Sequence, residues 1–236
     1  MDLAVIRFGR GGHPPRAVPT GDRDMCIMEA VAFFAGESWG ASPACACPVI
    51  SEFLRRWNDA LPDGDRDRLL PADVWVPRLV GSRVTQPEIE QKRLCLMHDW
   101  LIRVNLPAWI EARSPKAAQK LRSQAEIVSK ATGRKAADAV FCVVNEVIAQ
   151  HRNDDYHPYS IFCQASAAEP ASHSLFGGVE HYLSSSARTM ALSLISCGVQ
   201  NSTPERAQEV THTLQQSVLG LLDRMLLCGG KSSDER

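Results

Sequence analysis

The stretch MCIMEAVAFFAGESWGASPACACPVISEFLRRWNDALP, residues 25–62, decides the fold. Its apolar residues recur at three- and four-residue spacing, which is the period of an α-helix and not of a strand. The first helix is predicted over 24–35, with Asp24 as N-cap and Gly36 as its stop. Cys26, Glu29, Ala30 and Phe33 share one face, while Ile27, Met28, Val31 and Phe34 fill the others. A helix apolar on nearly all sides is buried, so the lone carboxylate of Glu29 is expected inside. A second helix is predicted over 48–60, with Pro48 at its first position. Its buried stripe is Val49, Ile50, Phe53, Leu54, Trp57 and Leu61, with Glu52, Arg55 and Arg56 on the polar side.

Outward from this stretch the same period continues. Residues 61–83 read as a turn-rich connector with one short helix. Helical pattern returns over 87–112, with a kink at Pro107, and again from Ser114–Pro115 to about Ser129. Residues 135–151 carry the stripe Ala137, Val140, Phe141, Val144, Val147 and Ile148, and residues 178–197 are helical. The last helix, 203–228, buries Val210, Leu214, Val218, Leu221, Leu222 and Met225, and Ser202 with Glu205 resembles a capping box. Upstream, DLAVIRF (2–8) fits one short strand. GRGGHPPRAVPTGDRD is rich in glycine and proline and reads as a loop. The expected fold class is therefore all-α, a single globular multi-helix bundle with a short N-terminal arm that holds one strand. The expected domain plan is a flexible arm over 1–24, a helical domain over 25–228 and a tail over 229–236. Residues 152–177 form an unusually long irregular connection.

Composition sets limits. The formal net charge of −1 gives no global attraction to nucleic acid or to an anionic membrane. Arg55, Arg56, Arg66, Arg68, Arg78 and Arg83 are interleaved with Glu52, Asp59, Asp63, Asp65 and Asp67, so nucleic acid is not expected as a main partner. No apolar run approaches the roughly 20 residues of a membrane helix, and residues 1–16 lack the order of a signal peptide. A cytoplasmic location is expected. The 8 cysteines fit reduced thiols, several of them in apolar helical pattern at Cys95, Cys142, Cys197 and Cys228.

Four constellations are candidates for chemistry. Cys26, Cys45 and Cys47, with Glu29 or a histidine as fourth ligand, offer a zinc site, although one residue between Cys45 and Cys47 is not zinc-knuckle spacing. Without zinc, no cofactor is expected. Glu29 is a candidate general acid or base, and Cys47, next to a helix start, is a candidate low-pKa nucleophile. His98-Asp99 matches the metal-binding doublet of HD-type phosphohydrolases only as a dipeptide. His151, Asp154, Asp155 and His157 crowd the irregular connection and suit a cation or phosphate-bearing ligand. Trp39 and Trp57, with His98, Asp99, His151 and His157, are candidate ligand or partner contacts. For each constellation the plain alternative is structural: packed thiols, a satisfied carboxylate, a helix-surface pair, a solvated loop. No phosphate-binding glycine loop, HExxH or GxSxG is present.

Residues 25–63, then PRLVGSR (77–83) and HDWLIRVNLPAWIE (98–111), resemble a family of uncharacterised proteins of bacteria and their phages. LQQSVLGLLDRML (214–226) is similar to that family's C-terminal helix, while 115–200 resembles it much less. The resemblance implies no activity, so it assigns no catalytic residue. Two function classes follow. One is a non-enzymatic intracellular binding or regulatory protein of phage or mobile-element origin, with a protein partner or a second copy as its contact. The other is an enzyme acting on a small or nucleotide-like substrate through Cys26, Glu29, Cys45 and Cys47, with or without zinc.

Overall fold

The computed structural model describes residues 2–16, 20–150, 194–195, 198–199 and 202–229. The fold is all-α. Nine α-helices are seen among the described residues: α1 (Ile27–Phe34), α2 (Pro48–Ala60), α3 (Asp63–Leu69), α4 (Ala72–Leu79), α5 (Pro87–Trp100), α6 (Leu106–Ile110), α7 (Pro115–Arg122), α8 (Lys130–Gln150) and α9 (Pro204–Leu227). None is long and apolar enough to cross a membrane. The chain divides into two compact units. Among the described residues, the first comprises residues up to 93 and from 222 on, and the second comprises 94–150 and the later residues up to 221.

In the first unit α1 and α2 are the framework. Phe8, Met25, Ile27, Met28, Ile50, Phe53, Leu54 and Leu79 are almost wholly removed from solvent, and the whole predicted stripe of α2 is buried. Pro48 opens α2 as expected. α1 starts later than expected, at Ile27 with Cys26 as N-cap. Asp24 instead shapes the preceding turn, where it accepts the Thr20 and Gly21 N–H groups. Gly36 ends α1 at a φ of 71°, a left-handed conformation that suits glycine. Glu52 is a correction: it is buried, and its carboxylate takes the guanidinium groups of both Arg55 and Arg56. The 61–83 connector holds two short helices, α3 and α4, where one was expected.

The expected strand over 2–8 is a 3-10 turn at Leu3–Val5, capped by the Asp2 side chain. Only Arg7 makes a bridge, parallel, to Asp22. Ile6 and Phe8 are buried, so this part of the expected arm is packed into the unit.

In the second unit, Ile102, Leu106, Ala118, Leu121, Ile127, Val140 and Val143 form the core. The irregularity expected at Pro107 takes the form of a π-helical segment, Leu101–Asn105, between α5 and α6. The Leu106 N–H reaches back five residues to the Leu101 carbonyl. Widening the turn relieves the clash of a proline ring with the carbonyl four residues earlier. α7 stops at Arg122, short of Ser129, and α8 begins at Lys130, where Ser129 and Thr132 hydrogen-bond to each other's backbone N–H. Phe141, placed on the predicted stripe of α8, is 42% exposed, and Cys142 beside it is exposed too. α9 buries its whole predicted stripe, but its cap is Thr203, which accepts the Arg206 N–H; the Ser202 hydroxyl donates to Gly198. The expected irregular connection over 152–177, and nearly all of the helix predicted over 178–197, lie outside the described residues.

Candidate functional site

Four side chains of the 25–62 stretch, Glu29, Trp39, Asn58 and Asp59, converge on residues 9–13, GRGGH. The cause is topological. Residues 7–9 run beside 21–25 in the same direction: the Arg7 N–H donates to Gly21 (2.7 Å), the Arg23 N–H to Arg7 (2.8 Å) and the Gly9 N–H to Met25 (2.8 Å). A parallel pairing needs a crossover of about a dozen residues, because a tight turn cannot reverse direction twice. Residues 10–16 open that crossover and Thr20 closes it.

The chain is gripped at Gly9, Gly11 and His13. Asn58, fully buried on α2, donates to the Gly9 carbonyl (2.8 Å). Asp59 accepts the Gly11 N–H (2.8 Å). Glu29 of α1, 2% exposed, accepts the His13 N–H on one oxygen and faces the His13 Nδ1 with the other, both at 2.8 Å. That second oxygen also takes the Cys26 N–H (2.7 Å), a reach-back that caps α1. The Trp39 indole N–H donates to the His13 carbonyl (2.9 Å). Arg10 donates to the Leu61 carbonyl (3.0 Å). Gly9 must be glycine: a Cβ there would lie 2.4 Å from the Arg23 carbonyl oxygen and 2.5 Å from the His13 Nε2. Beneath, the fully buried Arg66 guanidinium donates to the carbonyls of Phe8, Asn58 and Leu61 and pairs with Asp63 at 2.8 Å.

Because the His13 Nδ1 faces a carboxylate, the hydrogen-bond network assigns the proton to Nδ1. Nε2 then lies against the backbone of Gly9. Glu29 is saturated by three donors, which is the structural use of a buried carboxylate.

The thiols are engaged separately. Burial, more than any neighbour, pushes the Cys26 thiol up to about 12. Cys47 caps α2: its N–H donates to the Ser82 hydroxyl (3.0 Å) and its sulfur takes the Ile50 N–H (3.5 Å). Its thiol donates to Glu90 (2.8 Å). Burial first, and then Glu90, push the Cys47 thiol up to about 12, so at neutral pH it is a protonated donor and not the low-pKa nucleophile expected of a helix start. Burial also raises the half-buried Cys45, beside Glu37. Among the described residues no three His, Cys, Asp or Glu side chains gather to hold a metal ion.

Glu90 also pairs with Arg93 (3.2 Å), which is 1% exposed and donates to the carbonyls of Ser82 (3.0 Å) and Met225 (2.9 Å). Cys47, Glu90 and Arg93 thus join the start of α2 to the end of α9. Gly229 makes room for this, since a Cβ there would lie 2.2 Å from the Arg93 guanidinium.

The other sequence candidates fall elsewhere. His98 is 1% exposed, and burial pushes it down to about 4, so it is neutral. Asp99 turns to the α7–α8 connection, accepting the Ile127 N–H (2.9 Å) and facing Arg103 (3.1 Å). Trp57 is a core residue, 5% exposed. His151, Asp154, Asp155 and His157 lie outside the described residues. Sequence reasoning missed His13, Asn58, Asp59, Arg66 and Arg93. For the first three, the signal was the glycine density of GRGGH, since glycines mark close backbone approach.

No family model, no curated protein and no solved structure matches this chain.

Proposed function

We propose that this is a non-enzymatic binding or regulatory protein that works in the cytoplasm, with a protein partner or a second copy of itself as its contact. One observation carries the reading: Glu29, Trp39, Asn58 and Asp59 use their hydrogen-bonding capacity to hold residues 9–13 in one shape, while Arg10, Gly11, Gly12 and the following Pro14, Pro15 and Arg16 remain exposed. A preorganised exposed loop on a rigid scaffold is how folded domains present binding surfaces. The reactive groups point the same way, since Glu29 is saturated and the Cys26 and Cys47 thiols are protonated. A phage or mobile-element origin is part of the same proposal.

The enzymatic alternative, with or without zinc, has the Glu29–His13 pair in its favour, because a carboxylate-oriented imidazole is a common acid–base device. The packing of Nε2 against Gly9 speaks for the binding role. Native mass spectrometry of protein purified from its own host, without chelator, tests the reading. A retained protein partner or a dimer is expected. A bare monomer carrying zinc or a small molecule contradicts it.

A further inference from the structure

The arginines of the first unit are interleaved with acids, but one stretch of the second unit is not. Residues 112–137, which include α7 and the start of α8, hold seven Lys or Arg against a single acid, Glu126. The helical period turns cations outward on both helices. α7 buries Ala117, Ala118 and Leu121 and exposes Lys116 and Lys120, one turn apart. α8 buries Gly133, Ala136, Ala137 and Val140 and exposes Lys130, Arg134 and Lys135. The two helices pack on each other. Lys120 pairs with Glu146 and Arg122 with Glu111, both at 2.6 Å and both in the open, where such pairs are weak and exchange readily. Lys116, Lys130, Arg134 and Lys135 make no ion pair among the described residues. Asp138, exposed one turn past Arg134, ends the basic run on α8.

We infer that this basic face of α7 and α8 binds the phosphate backbone of double-stranded DNA without reading its sequence. The site is built from residues other than those of the loop proposed above for protein contact, and it stands or falls without that loop. Four uncommitted cations spread over two helices suit an anion repeated along a chain, and not a single phosphate in a pocket. Lys130 and Arg134 are about 6 Å apart along the axis of α8. α8 starts beside them, so the positive end of its peptide dipoles adds to the attraction. No aromatic residue lies within 112–137 to stack on unpaired bases, which selects a duplex over a single strand. A convex helical face enters the major groove of B-form DNA, about 12 Å wide, and not the narrow one of duplex RNA. Val128 is the one large apolar residue exposed within 112–137, too small a surface to hold an anionic membrane.

Fluorescence anisotropy of the full chain with a short labelled DNA duplex of mixed sequence tests it, between about 50 and 200 mM salt. Four neutralised phosphates predict a slope of log K against log salt of about −3.6. Lys130→Ala combined with Arg134→Ala should flatten that slope by about 2 and weaken binding roughly tenfold or more at the lowest salt. Asp138→Lys, which adds a cation to the same face, should tighten it. All three positions are exposed, so unfolding of the variants should stay cooperative. No binding at about 50 mM salt, or equal binding by the double variant, overturns the inference. Polyglutamate of matched length and charge bound as tightly as the duplex overturns it in favour of an acidic protein segment. Duplex RNA bound more tightly than DNA, or phosphatidylserine vesicles bound where DNA is not, overturns it as well. Each of these failures leaves the protein contact of residues 9–16 standing, because native mass spectrometry reads that contact without DNA.

Discussion

Glu29 and His13, sixteen residues apart, meet at 2.8 Å between carboxylate oxygen and Nδ1, and the same carboxylate takes the N–H groups of His13 and Cys26. One buried side chain thereby caps a helix and fixes an exposed loop. Such coupling makes Glu29 costly to replace.

Glu29→Ala leaves the buried Cys26 N–H and the part-buried His13 N–H without acceptors. Each unsatisfied buried donor costs about 1–3 kcal/mol, so a loss of about 3 kcal/mol is expected in urea unfolding. Glu29→Gln should lose less, because one amide oxygen still accepts. A loss below about 0.5 kcal/mol for the alanine variant, the range of an ordinary surface change, contradicts the role assigned here.

The two loop glycines should respond differently. Gly9→Ala places a methyl group 2.4 Å from the Arg23 carbonyl oxygen and forces the backbone apart. At Gly11, φ is 72° but the space is open, so alanine there costs only the left-handed conformation, about 1–2 kcal/mol. Thermal melts should rank Gly9→Ala well below Gly11→Ala, and the reverse order contradicts the packing described.

His98 predicts a pH effect. Its folded pKa, about 4, lies below the ordinary 6.5 because burial disfavours the charged imidazolium. Above pH 6.5 both folded and unfolded chains hold it neutral, and its contribution is complete. As pH falls from 6.5 towards 4 the unfolded chain takes up a proton that the folded one refuses, and stability declines by about 3 kcal/mol from this group. His98→Leu should flatten that part of the stability profile between pH 7 and 4.5. A variant with the wild-type slope refutes the assignment.

Thiol reactivity should follow burial and protonation. Iodoacetamide at pH 8 should label the exposed Cys142 in the native protein and leave Cys26 and Cys47 unlabelled until urea is added, because a thiol at about 12 presents almost no thiolate. Peptide mapping that finds Cys47 labelled first revives the nucleophile reading.

Local pattern carried the helices and little of the site. α2 was legible because Pro48 marks its start and six apolar residues keep the helical period. α9 was legible in its stripe, though not in its cap, where Ser202 and Thr203 are chemically interchangeable candidates. Glu52 was misread because a carboxylate followed by two arginines looks like a solvated face, yet its own side chain is buried beneath the two half-exposed guanidinium groups it holds. The grip on GRGGH was invisible for a different reason. Gly11 and Asp59 are 48 residues apart, and the crossover that brings them together depends on a single parallel bridge. No periodicity encodes such a contact.

Amide hydrogen exchange at Gly11 and His13, read by NMR on the native protein, tests the central claim most directly. Both residues sit in an exposed loop, yet their N–H groups are bonded to Asp59 and Glu29. The account predicts protection of about 100-fold or more over the unfolded chain, with His13 losing it in Glu29→Ala. Exchange at the unfolded rate at both positions contradicts it, because the loop is then not held.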